Sequence, residues 1–219
     1  MTRRRLLRLA MGAAAVVSGA ADPRAPRRPA LDVDLARYPP GATASVTGRA
    51  YEERRRPSAA DTPLVGASVT LLPRSETLLA RLAALKAGAR DSTASYRGAV
   101  AAMKTAMDDL GHVLRDADAA RLIVTGTADA TGRFSFDVPP GAWVLLGWHA
   151  AFIDTPSAAA PRRERQMYRL EAPLEGYRAV NLWLRDFSVG AGGREAFELT
   201  DRNVWFSGVE EVKRTGAGR

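Results

Sequence analysis

Hydrophobic and polar residues alternate in several short stretches of the chain, as they do in strands that are buried on one face. Residues 67–71 read Ala-Ser-Val-Thr-Leu and residues 134–138 read Phe-Ser-Phe-Asp-Val, so every second side chain shares one face. Gly- and Pro-containing turns separate these stretches from further candidates at 46–52, 122–127, 143–149, 167–170, 178–189, 195–200 and 204–207. Short strands at this spacing predict an all-β fold, an antiparallel β-sandwich.

The period of the pattern changes between residues 75 and 121. Leucines recur at helical spacing before Gly88, and a longer stripe recurs at steps of three and four: Tyr96, Val100, Met103, Met107, Leu110 and Leu114. Two amphipathic helices with a short break predict an α-helical hairpin inserted over 75–118. Because such a hairpin is rarely stable alone in water, we expect the stripe to pack on the sandwich or to be completed by another protein.

Composition limits the classes of protein to which the chain can belong, but it does not identify a ligand. The chain has 219 residues, of which 46% are hydrophobic and 26% charged, as in a globular protein with one domain of ordinary size. The formal net charge is +8, but four of these charges come from Arg3, Arg4, Arg5 and Arg8, so no nucleic-acid partner is expected. The absence of cysteine excludes disulfides, thiolate metal sites and cysteine nucleophiles.

Residues 1–21 have the features of a signal peptide. A positive region precedes an apolar run over 9–20, and small residues follow at the predicted cleavage site. The run is too short to span a bilayer, so we expect no permanent membrane anchor and a periplasmic or secreted protein. Thr2–Arg8 resembles the twin-arginine export motif, with Arg3 and Arg4 as its arginine pair, although an ordinary secretory leader rich in arginine stays open.

The mature chain begins with a stretch of different character. Residues 22–44 are rich in proline and show little periodicity, which predicts a linker or a loosely held arm, with no packed element before about residue 45. The sandwich domain with its helical hairpin is expected over 45–212, and a short tail follows over 213–219.

Two segments of the chain have a distinctive sequence: residues 62–71 read TPLVGASVTL and residues 127–146 read TADATGRFSFDVPPGAWVLL. Together, and in this order, they resemble segments of carboxypeptidase regulatory-like domains. The resemblance implies a transthyretin-like β-sandwich that accompanies other proteins and has no catalysis of its own. The predicted hairpin at 75–118 lies where this family has a short connection, so the resemblance says nothing about its role.

The side chains that carry chemistry are few. His112 is expected to face solvent, His149 lies at a strand end, and two histidines without a third ligand predict no metal site. Acidic residues over 108–118 are expected to keep a helix face solvated, with Lys104 and Arg115 as their partners. Asp129 and the residues after it suit a turn better than a calcium loop. Since no nucleophile, base or cofactor motif can be assembled, the sequence predicts a protein that is not an enzyme and has no cofactor.

The tryptophans offer the one pattern that suggests binding. Exposed indole rings on a sandwich can stack on sugars or anchor a partner, and Trp143, Trp183 and Trp205 are the candidates. Two functions stay open: an exported non-catalytic interaction or structural module with an unknown partner, or a carbohydrate-binding module that uses exposed aromatic residues. A row of exposed aromatic rings favours the second, and an exposed apolar patch on the hairpin favours the first.

Overall fold

A computed structural model describes residues 31–153 and 174–213 of the chain. Nine strands and two helices lie within these ranges. The helices are α1 (Glu76–Gly88) and α2 (Thr93–Asp116). The strands are β1 (Ala44–Glu52), β2 (Thr62–Pro63), β3 (Ser68–Pro73), β4 (Val124–Thr127), β5 (Arg133–Val138), β6 (Gly141–Ile153), β7 (Leu174–Val189), β8 (Arg194–Thr200) and β9 (Phe206–Lys213).

The strands form two sheets. In the four-stranded sheet, β1 pairs antiparallel with β5 and β2 along one edge and parallel with β8 along the other. The five-stranded sheet is antiparallel throughout, in the order β4-β3-β6-β7-β9. The predicted mostly-β, sandwich-like architecture is therefore confirmed. The parallel β1–β8 pair departs from the purely antiparallel expectation: β8 follows β7 of the other sheet through the turn at 190–193, so no hairpin with β1 sets its direction.

The main core lies between the two sheets. Val46 and Ala50 of β1 and Val69 and Leu71 of β3 are fully buried, which is the result of the period-two pattern in both strands. The indole of Trp183 is also fully buried, and its Nε1 donates a hydrogen bond of 2.8 Å to the carbonyl of Thr200, at the end of β8. This bond connects the five-stranded sheet to the four-stranded one.

The two helices cover the other face of the five-stranded sheet. The Ser75 side chain caps α1 by accepting from the Leu78 amide, and Ser92 caps α2 in the same way. The apolar stripe of α2 is buried from Val100 to Leu114, except that Met107 is half-buried and Tyr96, at its start, is 37% exposed. A second core therefore lies between the helices and the sheet, and the stripe packs within the chain.

Helix α2 approaches the backbone of β9 closely at Gly208. A Cβ atom at Gly208 would lie 2.7 Å from Cγ2 of Val100, so glycine is needed for this approach. Lys104 of α2 also reaches β9, where its Nζ lies 2.7 Å from a carboxylate oxygen of Glu210.

The segment before β1 differs from the expectation of a linker over 22–44. Val33 is 7% exposed and Tyr38 only 3%, so these two side chains pack in the core before residue 45, where no packed element is expected, although most residues around them are exposed. The Tyr38 ring meets Trp143 edge to face, with centroids 5.2 Å apart, and its hydroxyl donates to the carbonyl of Ala142. Contacts with residues about 100 positions away hold this segment, and local pattern does not reveal them.

Other boundaries move by a few residues. The strand expected at 122–127 begins at Val124, after a 3₁₀ turn at Ala120–Leu122, and the strand expected at 204–207 runs instead over Phe206–Lys213. The signal peptide, residues 22–30, the loop and strand expected over 155–170 and the tail beyond 213 lie outside the described residues. No helix within 31–153 and 174–213 has the length and apolar character needed to cross a membrane.

Candidate binding surfaces

Two of the three tryptophans proposed as binding residues belong to the core. Trp143 and Trp183 are 0% exposed, and the indole of Trp143 donates to the carbonyl of Pro139 at 3.0 Å. A fully buried ring has no face for a ligand, so these two residues are corrected to core residues. Trp205 is half-buried, and the Lys86 ammonium lies 4.5 Å from the centroid of its ring. The exposed aromatic side chains of the described residues are Tyr96 on α2 and Phe152 on β6.

The two histidines lie on different elements. His112 is on the exposed side of α2, where its Nδ1 is 3.2 Å from Nη2 of Arg115. His149 is half-buried on β6, and burial lowers its pKa although the nearby Glu52 carboxylate acts in the opposite direction. Within residues 31–153 and 174–213, no three histidine, aspartate or glutamate side chains are placed to hold a metal ion.

Asp129 forms a turn. Its Oδ1 accepts hydrogen bonds from the backbone amides of Thr131 and Arg133, at 2.7 and 2.9 Å, and from the Thr131 hydroxyl at 2.7 Å. These bonds, led by the Arg133 amide, lower the pKa of Asp129. The turn also requires Gly132, whose φ is +77° and whose Cβ would lie 2.3 Å from the carbonyl oxygen of Ala50.

The outward face of the four-stranded sheet carries a polar groove. Cross-strand register places Ser135, Thr47 and Ala196 side by side on β5, β1 and β8, so small side chains form one row. The next row along the strands is Arg133, Arg49 and Glu198. A concave region of about 510 Å³ opens over these two rows, and Asp129 lies at its end. We call this region the sheet groove.

The second row places two guanidinium groups opposite each other. Like charges in directly opposed positions destabilise a sheet, so this arrangement needs nearby carboxylates. Arg49 lies 3.6 Å from a carboxylate oxygen of Asp61, and its guanidinium carbon lies 4.6 Å from the centroid of the Tyr51 ring. The Tyr51 hydroxyl donates to Glu198 at 3.1 Å. Burial, followed by this bond and the charge of Glu198, raises the pKa of Tyr51.

A second concave region lies between α2 and the five-stranded sheet. Its volume is about 460 Å³. The half-buried apolar side chains of Met107, Ile123 and Trp148 line it, with the buried leucines Leu72, Leu146 and Leu182 behind them. Its polar lining comes from hydroxyl groups of the sheet and from three charged residues of α2: Ser68, Thr70, Thr125, Lys104, Asp108 and Arg115. We call this region the helix–sheet cleft.

The charged residues of the cleft do not pair as the helical spacing predicts. Lys104 pairs with Glu210 of β9, and its Nζ also lies 4.8 Å from the centroid of the Trp148 ring. Nη2 of Arg115 is hydrogen-bonded to Nδ1 of His112, and Nη1 of Arg81 on α1 lies 2.6 Å from a carboxylate oxygen of Asp109. Asp108 has no hydrogen bond or ion pair to any other residue that the structure describes. The expectation that Lys104 and Arg115 serve the acidic residues of α2 therefore does not match these contacts.

Comparisons with known proteins give two resemblances at the level of structure. No protein-family model matches the chain, and no curated protein matches it. A protein from Pseudomonas aeruginosa that is proposed to bind carbohydrate superimposes with a TM-score of 0.43 and 16% identity, over 78% of this chain and 99% of that one. A shaft pilin from Lactobacillus rhamnosus GG superimposes with a TM-score of 0.25 and 13% identity, over 80% of this chain and 50% of that one. At these scores neither likeness carries an argument about this chain.

The residues that line both regions were not singled out by the sequence. Arg49 and Arg133 are 84 positions apart, and only the register of β1 with β5 brings them together. Alternation in β1 places Arg49 on the sheet face opposite to that of its buried neighbour Ala50. The pattern of β1 therefore contains a signal for an outward-facing arginine. The helix–sheet cleft depends on how α2 rests on the sheet, for which the sequence contains no local signal.

Proposed function

We propose that the chain is a non-catalytic binding module and that it binds carbohydrate in the sheet groove. The observation that carries this proposal is the opposed pair Arg49 and Arg133 beside a row of small side chains, two of which bear hydroxyl groups. A like-charge pair in direct cross-strand register costs stability, and such local conflicts concentrate at functional sites. The apolar stripe of the hairpin is covered by the sheet, so it supplies no comparable surface for a protein partner.

The groove suits a ligand that offers many hydroxyl groups and some negative charge. The guanidinium groups of Arg49 and Arg133 supply donors, the Thr47 and Ser135 hydroxyls donate or accept, and Glu198 accepts. Because arginine binds a carboxylate through two parallel hydrogen bonds, the pair favours acidic over neutral sugars. The Tyr51 ring lies beneath Arg49 and is 9% exposed, so recognition relies on hydrogen bonds more than on stacking.

Affinity electrophoresis tests this proposal with polygalacturonate and dextran as the acidic and neutral polymers. We expect polygalacturonate to retard the protein and dextran to have little effect. The double variant Arg49→Gln/Arg133→Gln should lose most of the retardation, since charged hydrogen bonds contribute about 1.5–3 kcal/mol each. Arg90→Gln, at the turn between the helices, measures the effect of losing one positive charge, whereas the double variant loses two.

The outcomes separate the alternatives. If the groove variant lost no more than twice the retardation that Arg90→Gln loses, net charge alone would explain the effect, and the groove would not be the site. Retardation by neither polymer would remove carbohydrate as the ligand. Stronger retardation by dextran would contradict the role given to the arginine pair.

We also propose that the protein is exported and that its sandwich belongs with the carboxypeptidase regulatory-like domains. Support for export comes from the leader with Arg3 and Arg4. Support for the family comes from the segments at 62–71 and 127–146, whose residues form neighbouring strands of this fold. Replacing both arginines by lysine should abolish transport of a folded reporter that carries this leader, and unchanged export would instead indicate general secretion.

A further inference from the structure

We propose that the helix–sheet cleft is a second binding site, which takes a small amphipathic molecule with a single anionic group. The apolar part of the ligand lies between α2 and the five-stranded sheet, and its anionic group lies against Arg115. This site is separate from the sheet groove, because the cleft opens on the opposite side of the five-stranded sheet from the sandwich core.

The size and lining of the cleft are those of a small-molecule site. Its volume of about 460 Å³ falls within the range of about 300–1,000 Å³ that is typical of such sites. Met107, Ile123 and Trp148 are half-buried around it, so apolar surface is available to a ligand there. The Thr70 and Thr125 hydroxyls lie 3.3 Å apart on the sheet side and add hydrogen-bonding groups.

The charges at the cleft favour one negative group on the ligand. Lys104 pairs with the Glu210 carboxylate and lies over the Trp148 ring, so its positive charge is largely neutralised within the protein. Arg115 is exposed and lines the cleft, and its one hydrogen bond to another described residue, through Nη2 to an imidazole nitrogen of His112, leaves guanidinium donors for an anionic group. Asp108 lies two turns earlier on the same helix face, about 10 Å along the axis, and disfavours a second anionic group.

Gly111 makes room between these two charged residues. It is buried in the interior of α2, five residues before the end of the helix, where glycine is a poor helix former, so its presence needs a reason. A Cβ atom at this position would lie 3.6 Å from the Arg115 guanidinium nitrogens and 3.8 Å from Cδ1 of Ile123, so a larger side chain would extend into the cleft. The absence of a side chain at Gly111 keeps the space beside Arg115 open.

Fluorescence titration with 8-anilinonaphthalene-1-sulfonate, an aromatic monoanion, tests the proposal on the full chain. We expect saturable binding to one site, displaced by decanoate at a concentration at least about tenfold lower than that needed for 1-decanol. Arg115→Gln should weaken binding of the two anions about tenfold or more, because a charged hydrogen bond is lost. Arg90→Gln and the groove variant Arg49→Gln/Arg133→Gln should bind as the wild type does.

A second variant fills the cleft without changing its charge. Gly111→Leu should abolish binding of decanoate and 1-decanol alike. Because Arg115 is exposed, Arg115→Gln should fold as the wild type does, and a thermal melt followed by circular dichroism checks this for every variant. Failure of the wild type to bind the probe, or wild-type affinity in Arg115→Gln, would overturn the proposal. Loss of carbohydrate binding in the groove variant with unchanged probe binding would show that the two sites are independent.

Discussion

The indole of Trp183 connects the two sheets at the centre of the core, and its replacement by phenylalanine should destabilise the fold by about 2–4 kcal/mol. The substitution removes the 2.8 Å bond from Nε1 and leaves the Thr200 carbonyl buried without that donor. An unsatisfied buried group costs about 1–3 kcal/mol. The smaller ring also leaves a void beside Leu199, whose Cδ1 and the Trp183 ring together crowd Gly147.

Urea denaturation followed by circular dichroism measures this free energy of unfolding directly. For a protein of this size the loss corresponds to a fall in Tm of about 4–16 °C. Trp205→Phe is the matched control, since its ring is half-buried and its indole makes no hydrogen bond to any residue that the structure describes; the expected change is under about 1 kcal/mol. A change below about 0.5 kcal/mol at Trp183 would refute the reasoning and would reopen a role for this ring at the surface.

Two further predictions concern a helix and a titrating side chain. Gly111→Ala should raise Tm by about 2–4 °C, because alanine is the better helix former by about 0.8–1 kcal/mol and its Cβ meets Arg115 and Ile123 at ordinary contact distance; a lower Tm in a thermal melt would contradict this. Burial lowers the pKa of His149 in the fold, so the unfolded chain takes up this proton more readily, and stability should fall as the pH decreases from about 6.5 towards the lowered value. In urea melts at pH 7.5 and 5.5, His149→Gln should therefore lose less stability than the wild type, and an equal loss would assign the pH dependence to other groups.

The strands and helices that the sequence predicts best are those in which the apolar residues face a core and therefore recur with the period of the strand or helix. At 67–71 the alternating residues Ala67, Val69 and Leu71 are fully buried, so period and burial coincide. The stripe of α2 gives the helix for the same reason. Periodicity reports which residues face away from water, but it does not report what they face. It therefore left open whether the hairpin packs on the sheet or on a partner.

The features that the sequence did not predict depend on contacts between distant parts of the chain. Tyr38 follows a proline-rich stretch that has no period, yet it packs on Trp143 more than 100 positions later. The sheet groove depends on the register of β1 with β5 and β8, and a shift of one residue would turn Arg49 to the other face. Indole rings occur both in cores and at binding surfaces, so residue type alone does not distinguish the buried Trp143 and Trp183 from binding residues.

Helix α2 is expected to be an obligate part of the fold, because it covers an apolar sheet face that would otherwise meet water. Replacing residues 75–118 by a short Gly/Ser linker would expose five buried side chains: Leu72, Val144, Leu146, Val180 and Leu182. At about 1.5–3 kcal/mol for each, the loss is roughly 8–15 kcal/mol, which is comparable to the whole stability of a domain. We therefore expect the shortened protein to be unfolded or aggregated in size-exclusion chromatography and circular dichroism.

Single substitutions test whether the packing of α2 on the sheet stabilises the fold, without removing the helical segment. Met103 is fully buried under α2, so Met103→Ala should cost about 2–5 kcal/mol, whereas Thr105→Ala on the exposed side should stay within about 0.5 kcal/mol. Gly208→Ala should also destabilise, because its methyl group would lie 2.7 Å from Val100 and force the helix or the side chain to move. If the shortened protein stayed folded and monomeric while Met103→Ala melted like the wild type, the five-stranded sheet would not need this helix, and the second core would have to be abandoned.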